Sequence, residues 1–113
     1  MSQAQPLHLQ RCSHQSGPAL SAGEQQLMLS QLKDWTVDSG TPGGVLTKTF
    51  TLAGFHHTMA FVNAVAWIAH EQDHHPDLAV SYKHCTIRWS THSVGGLSIN
   101  DFICAARVDA LSA

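Results

Sequence analysis

Residues 45–52 read VLTKTFTL and residues 54–74 read GFHHTMAFVNAVAWIAHEQDH. The change of period between these two stretches decides the fold. In the first, Thr47, Thr49 and Thr51 fall on one face and Leu46, Lys48, Phe50 and Leu52 on the other, the alternation of a strand. In the second, Phe55, Met59, Val62, Ala66 and Ala69 follow one helical stripe, and Phe61, Val65 and Ile68 an adjoining one. An apolar surface this wide predicts burial on more than one side, its extra face packing on the domain's own sheet or on another subunit.

Upstream, Ser21 and Glu24 form a capping-box signature, and Leu27, Met28 and Leu32 follow at helical spacing. The spacing predicts a helix from about Ala22 to Lys33. Trp35 and Val37 alternate as a short strand, and the turn residues from Asp38 to Gly44 lead into the strand at 45–52, making a hairpin. Downstream, Pro76 disfavours helix at His75, so the long helix should end near His74. Leu78–Tyr82 reads as a third strand. Lys83 and His84 turn the chain into a fourth over Cys85–Thr91, with Cys85, Ile87 and Trp89 on one face. After Gly95-Gly96, Ser98 and Asp101 repeat the capping-box pattern ahead of Ile99, Phe102, Ile103, Ala106 and Ala110. The order α-β-β-α-β-β-α predicts an α+β domain, a four-stranded antiparallel sheet with three helices packed on one face. Residues 1–20 carry no apolar period and read as a flexible N-terminal arm. Residues 21–113 read as a single domain.

The bulk composition narrows the function. Net charge is −2 and only 12% of residues are charged, so no basic footprint for nucleic acid exists. Three cysteines without CxxC spacing argue against a disulfide framework and fit a reducing compartment. The apolar stretches are too short for a signal core or a membrane span, which points to a cytoplasmic protein. Nine histidines are the anomaly. Histidine changes charge nearest neutral pH and is also the commonest metal ligand.

The densest chemistry lies at Ala69–Asp77, AHEQDHHPD. On one reading, His70-Glu71-x-x-His74 matches a short zinc-hydrolase pattern, two imidazoles one helical turn apart with a glutamate base. The helix should stop immediately after it, and the extended form of that pattern is missing. On the other reading, His74 and His75 stand at a helix C-terminus, whose partial negative charge favours imidazolium and hence proton donation. His92, at the end of the fourth strand, is a third candidate. Asp101 has two readings, as an orienting carboxylate or as a helix-start cap facing Ser98.

The segment His74-His75-Pro76, five residues to Tyr82, nine to His92 and eight to Asp101 resembles the signature of the pterin-4a-carbinolamine dehydratases. Ser90-Thr91-His92 followed by Gly96-Leu97-Ser98 and Asp101 is similar to that family's S-T-H-x-x-x-G-L-[ST]-x-x-D stretch. Trp35, Lys48-Thr49-Phe50 and the helix carrying Phe61, Val62, Val65 and Ala66 add to it. The resemblance spans about residues 22–111. It implies a homodimer or homotetramer and a pterin substrate, with no metal and no cofactor. It implies catalytic roles for His74, His75 and His92, and orienting or substrate-binding roles for Asp73 and Asp101. His70 stands where members commonly carry glutamate, and Leu78 where several carry an aromatic residue. Because some members also serve as dimerisation partners of transcription factors, the resemblance carries a second expectation, a protein-interaction role.

Overall fold

The computed structural model describes residues 5–111. Its main elements are α1 (Ala22–Leu29), β1 (Thr36–Asp38), β2 (Val45–Thr51), α2 (Phe55–Gln72), β3 (Asp77–Val80), β4 (His84–Trp89) and α3 (Ile99–Ala110), with short 3₁₀ turns at Leu7–Leu9 and His92–Val94. The strands form one antiparallel sheet in the order β1-β2-β4-β3. The expected α+β architecture and element order are therefore what the chain adopts.

Register follows from side-chain alternation. Leu46 opposes Trp89, Lys48 opposes Ile87 and Phe50 opposes Cys85. On β4, Cys85, Ile87 and Trp89 are fully buried under Val65, Ile68 and Ala69 of α2 and Phe102, Ile103 and Ala106 of α3. The opposite face carries Thr47, Thr49, Thr86 and Arg88; there Thr49 and Thr86 are linked by their hydroxyls at 2.8 Å. Each large side chain sealed in this core contributes about 1.5–3 kcal/mol relative to exposure.

Local chemistry moved several boundaries. Helix α1 begins on its capping box but stops at Leu29, four residues short of the expected end. The Ser30 hydroxyl donates to the Leu27 carbonyl at 2.6 Å, and Asp34 turns the chain with φ 64°. Strand β3 ends at Val80, and Tyr82 sits in the turn, where its ring stacks on Phe55. Helix α2 ends at Gln72, because Asp73 takes a left-handed conformation (φ 49°, ψ 45°). The wide apolar surface of α2 divides. Val65, Ile68 and Ala69 face the core, whereas Phe55, Met59, Ala66 and Trp67 face outward.

Residues 5–20 run as an irregular strap across α3. Leu7 is buried in the core, and the Gln10 carbonyl accepts from the Arg107 guanidinium at 3.1 Å. Farther along, Leu20 N–H donates to the Leu97 carbonyl at 2.8 Å. No helix among the described residues is long and apolar enough to cross a membrane.

Two glycines bring the β1–β2 turn against the segment that follows β4. Leu97 N–H donates to the Gly43 carbonyl at 3.2 Å, and a Cβ on Gly96 would stand 2.6 Å from Gly43 Cα and 2.7 Å from its oxygen. Both neighbours are backbone, so neither can rotate away. Gly96→Ala should lower stability by about 1–3 kcal/mol, read as a lower urea midpoint at unchanged m-value.

Candidate active site

One cavity of about 460 Å³ brings together Gln72, Asp73, His74 and His75 from the end of α2, Ser90–Ser93 from the end of β4, Asn100 from α3, and Cys12–Gln15 from the strap. This size falls within the range of about 300–1,000 Å³ usual for small-molecule sites. His74, His75, His92 and Asp73, all singled out from sequence, line it together. Asp101 does not line it but stands behind His74.

The left-handed turn at Asp73 directs the chain out of α2. His74 N–H closes that helix end on the Ala69 carbonyl at 3.1 Å. The His74 side chain reaches α3, where Nε2 lies 2.6 Å from Asp101 Oδ1. Its ring stacks on Trp89 at 5.5 Å between centroids, with only 10° between planes. Packing and hydrogen bonding thus fix the same ring.

Asp101 is fully buried and receives three donors. Its Oδ2 accepts from the Ser98 backbone N–H at 2.9 Å and from the Thr91 hydroxyl at 2.8 Å. Thr91 spends its one hydroxyl hydrogen there, so the Ser98 hydroxyl, 2.7 Å away, donates to Thr91 and accepts from Asn100 N–H. Both sequence readings of Asp101 hold at once, since the carboxylate that caps α3 is also the His74 partner. An ionised carboxylate only accepts, so Nε2 of His74 carries the hydrogen and Nδ1 is the nitrogen left for other work.

Burial works against a charged His74. The hydrogen bond and negative charge of Asp101 outweigh it, with smaller help from Cys12 and Asp73, and hold His74 above the ordinary histidine range. His75 and His92 are exposed at the cavity, His92 opening the 3₁₀ turn at His92–Val94. The zinc-hydrolase reading fails on geometry. His70 lies within α2 with its ring 5.4 Å from that of Trp67, while His74 lies beyond the helix end and is committed to Asp101. Among the described residues no group of three potential ligands is arranged to hold a metal.

Sequence reasoning missed the strap's share of the cavity. Cys12 N–H donates to Gln72 Oε1 at 2.8 Å, Ser13 exchanges hydrogen bonds with the Asn100 side chain, and the Ser93 hydroxyl donates to the Gln15 carbonyl at 2.8 Å. The residues of 12–15 carry no periodic signal that would have placed them there.

A small α+β domain with a half-buried histidine, paired to a buried carboxylate and opening on a polar cavity, is a frame for acid/base chemistry on a small molecule. The profile of the family described as pterin 4 alpha carbinolamine dehydratase matches residues 18–111. A Stenotrophomonas maltophilia (strain K279a) protein, provisionally named a pterin-4-alpha-carbinolamine dehydratase, is 50% identical over 109 residues, covering 95% of this chain and 92% of its own. A Xanthomonas oryzae pv. oryzae (strain MAFF 311018) protein of the same name is 50% identical over 104 residues, covering 90% and 86%. Among solved structures, a Brucella melitensis protein described as a transcriptional coactivator/pterin dehydratase superposes with a TM-score of 0.78 at 25% identity, covering 84% of this chain and 99% of that one. A pterin dehydratase-like protein described as a RuBisCO assembly factor in the alpha-carboxysome gives 0.60 at 25% identity, covering 71% and 90%. The chain belongs to the pterin-4a-carbinolamine dehydratase family, a family of hydro-lyases.

The elevated His74 carries a signed prediction. Its folded-state value lies above the unfolded one, so stabilisation from the Asp101 pair is complete below about pH 6.5 and is lost as pH rises through the folded value. In an NMR titration the His74 ring should change charge above the ordinary histidine range. Asp101→Asn should move that transition down, and Asp101→Ala should cost about 3–5 kcal/mol by stranding the buried donors.

Proposed function

We propose that the chain removes water from 4a-hydroxytetrahydropterins by histidine acid/base catalysis, in the recycling of tetrahydropterins in the cytoplasm. One observation carries this reading: His74, closed on Asp101 behind it at 2.6 Å, lines a cavity that His75 and His92 also line. The substrate carries a hydroxyl on C4a beside N5–H. Dehydration needs one proton delivered to that hydroxyl and one taken from N5. The N5 lone pair then forms the C4a=N5 bond as the C–O bond breaks, giving quinonoid dihydropterin and water.

His74 is the acid in this scheme, since Asp101 favours its imidazolium and leaves Nδ1–H to face the substrate. His92 takes the N5 proton from the opposite segment. His75 and Asp73 hold the ring. Asp101, out of reach of the substrate, is a positioning residue that sets the His74 tautomer. Positioned acids and bases of this kind supply about 10²–10⁴-fold each.

His74→Ala and His92→Ala should each lower kcat by about 10²–10⁴-fold with the circular dichroism unchanged, followed by ultraviolet absorbance as freshly made 4a-hydroxytetrahydropterin loses water. Wild-type turnover in either variant removes that histidine from the scheme. Activity should fall as pH rises through the His74 transition, and Asp101→Asn should shift that limb to lower pH.

The outward face of α2 supports a homodimer or homotetramer. Trp67 is 60% exposed and Phe55 53%, with Met59 beside them on the helix and Tyr82 stacked on Phe55. Trp67→Glu should shift sedimentation toward monomer. A wild-type chain that already sediments as a monomer would leave this face for a different protein, the coactivator-like role in the description of the Brucella melitensis relative.

A further inference from the structure

Cys12 and Cys104 stand with their sulfurs 3.6 Å apart, although 92 residues separate them in sequence. Cys104 is fully buried on α3. Cys12 lies in the strap, partly exposed, and lines the histidine cavity. We propose that these two thiols are an oxidisable pair whose disulfide clamps the strap onto α3 as a fixed wall of that cavity.

Geometry carries the proposal. A disulfide needs about 2.05 Å between sulfurs, so the pair must close by roughly 1.5 Å. Cys104 cannot move far inside the core. Cys12 can, because its segment has no regular secondary structure. It is already aimed correctly, with its backbone N–H held by Gln72 and its thiol 3.6 Å from the Asn100 carbonyl. The division of labour between the sulfurs is also set. The hydrogen bond from Cys104 draws the Cys12 thiol below its usual range, against the effect of burial, and His74 and Arg107 add positive charge nearby. The same contact, with burial, pushes Cys104 up. Cys12 is therefore the member that reaches the thiolate form and meets oxidants at the cavity.

With a peroxide the steps balance. The Cys12 thiolate attacks one peroxide oxygen, the O–O bond breaks, and the departing hydroxide takes up the proton Cys12 released, leaving as water. Cys12 is now a sulfenic acid. The Cys104 sulfur attacks Cys12 Sγ, the S–O bond breaks, and the Cys104 proton leaves with that hydroxide as a second water. Two thiols lose two electrons and one peroxide gains them. A thiol reductant reverses the bond by exchange.

The experiment uses the full chain, reduced and then treated with hydrogen peroxide at one to a few equivalents. Intact mass should fall by two hydrogen atoms, and a non-reducing peptide map should join the Cys12 and Cys104 peptides while Cys85 stays reduced. Melting temperature should rise by roughly 5–15 °C, because a long loop is closed, and dithiothreitol should reverse it. Cys12→Ser, a change at a partly exposed site, should fold and show neither effect. A map with Cys104 still reduced while Cys12 carries added oxygen overturns the proposal. So does Cys12 joined to Cys12 of a second chain, or a crosslink that leaves the melting temperature unchanged.

Discussion

The histidine end of the cavity hangs on one buried carboxylate. Asp101 has no exposed surface, and a charge in that position is tolerable only if its oxygens are satisfied. Three donors do this, and each comes from a different part of the chain: the backbone at the start of α3, the threonine just beyond β4, and the histidine just beyond α2. The helix cap, the strand end and the catalytic candidate are therefore one hydrogen-bonded unit. A defect in any of the three leaves the same charge short of a partner, so site geometry and local stability are coupled at this point.

The unit is seated by packing. Trp89, fully buried on β4, lies flat against the His74 ring, so the imidazole has an apolar wall on one face and a carboxylate at one nitrogen. That combination resolves a conflict. Burial alone would push the His74 pKa down, whereas the paired negative charge raises it above the ordinary histidine range. The close backbone contact between Gly43 and Gly96 supports the arrangement from the far side, since it anchors the segment running from Thr91 to Ser98 against the β1–β2 turn.

Much of this was readable in the sequence because the signals are local. Alternation over Val45–Thr51 and the helical period over Phe55–Gln72 placed the sheet and its covering helix, and both capping boxes form where Ser21 and Ser98 announced them. The adjacent histidines and His92 line one cavity. What escaped depended on contacts that no local pattern encodes. The early end of α2 arises from a single left-handed residue, Asp73. The strap is positioned by Gln72, Asn100 and Arg107, partners 60 to 97 residues away, so a stretch without period carried no sign of its docking. Tyr82 looked like strand because it follows a strand; its stacking on Phe55 holds it in the turn instead.

The two sides of the cavity consequently rest on different support. His74 is tied into the core through Asp101 and Trp89, and displacing it means disrupting the sheet and α3 together. The opposite wall, Cys12–Gln15, has no regular backbone hydrogen bonding of its own and is held by scattered contacts to Gln72, Asn100 and Ser93. Segments held this way open at lower free energy than core elements. Movement of the cavity wall therefore falls on Cys12–Gln15 rather than on the His74 ring, which the core holds through Asp101 and Trp89.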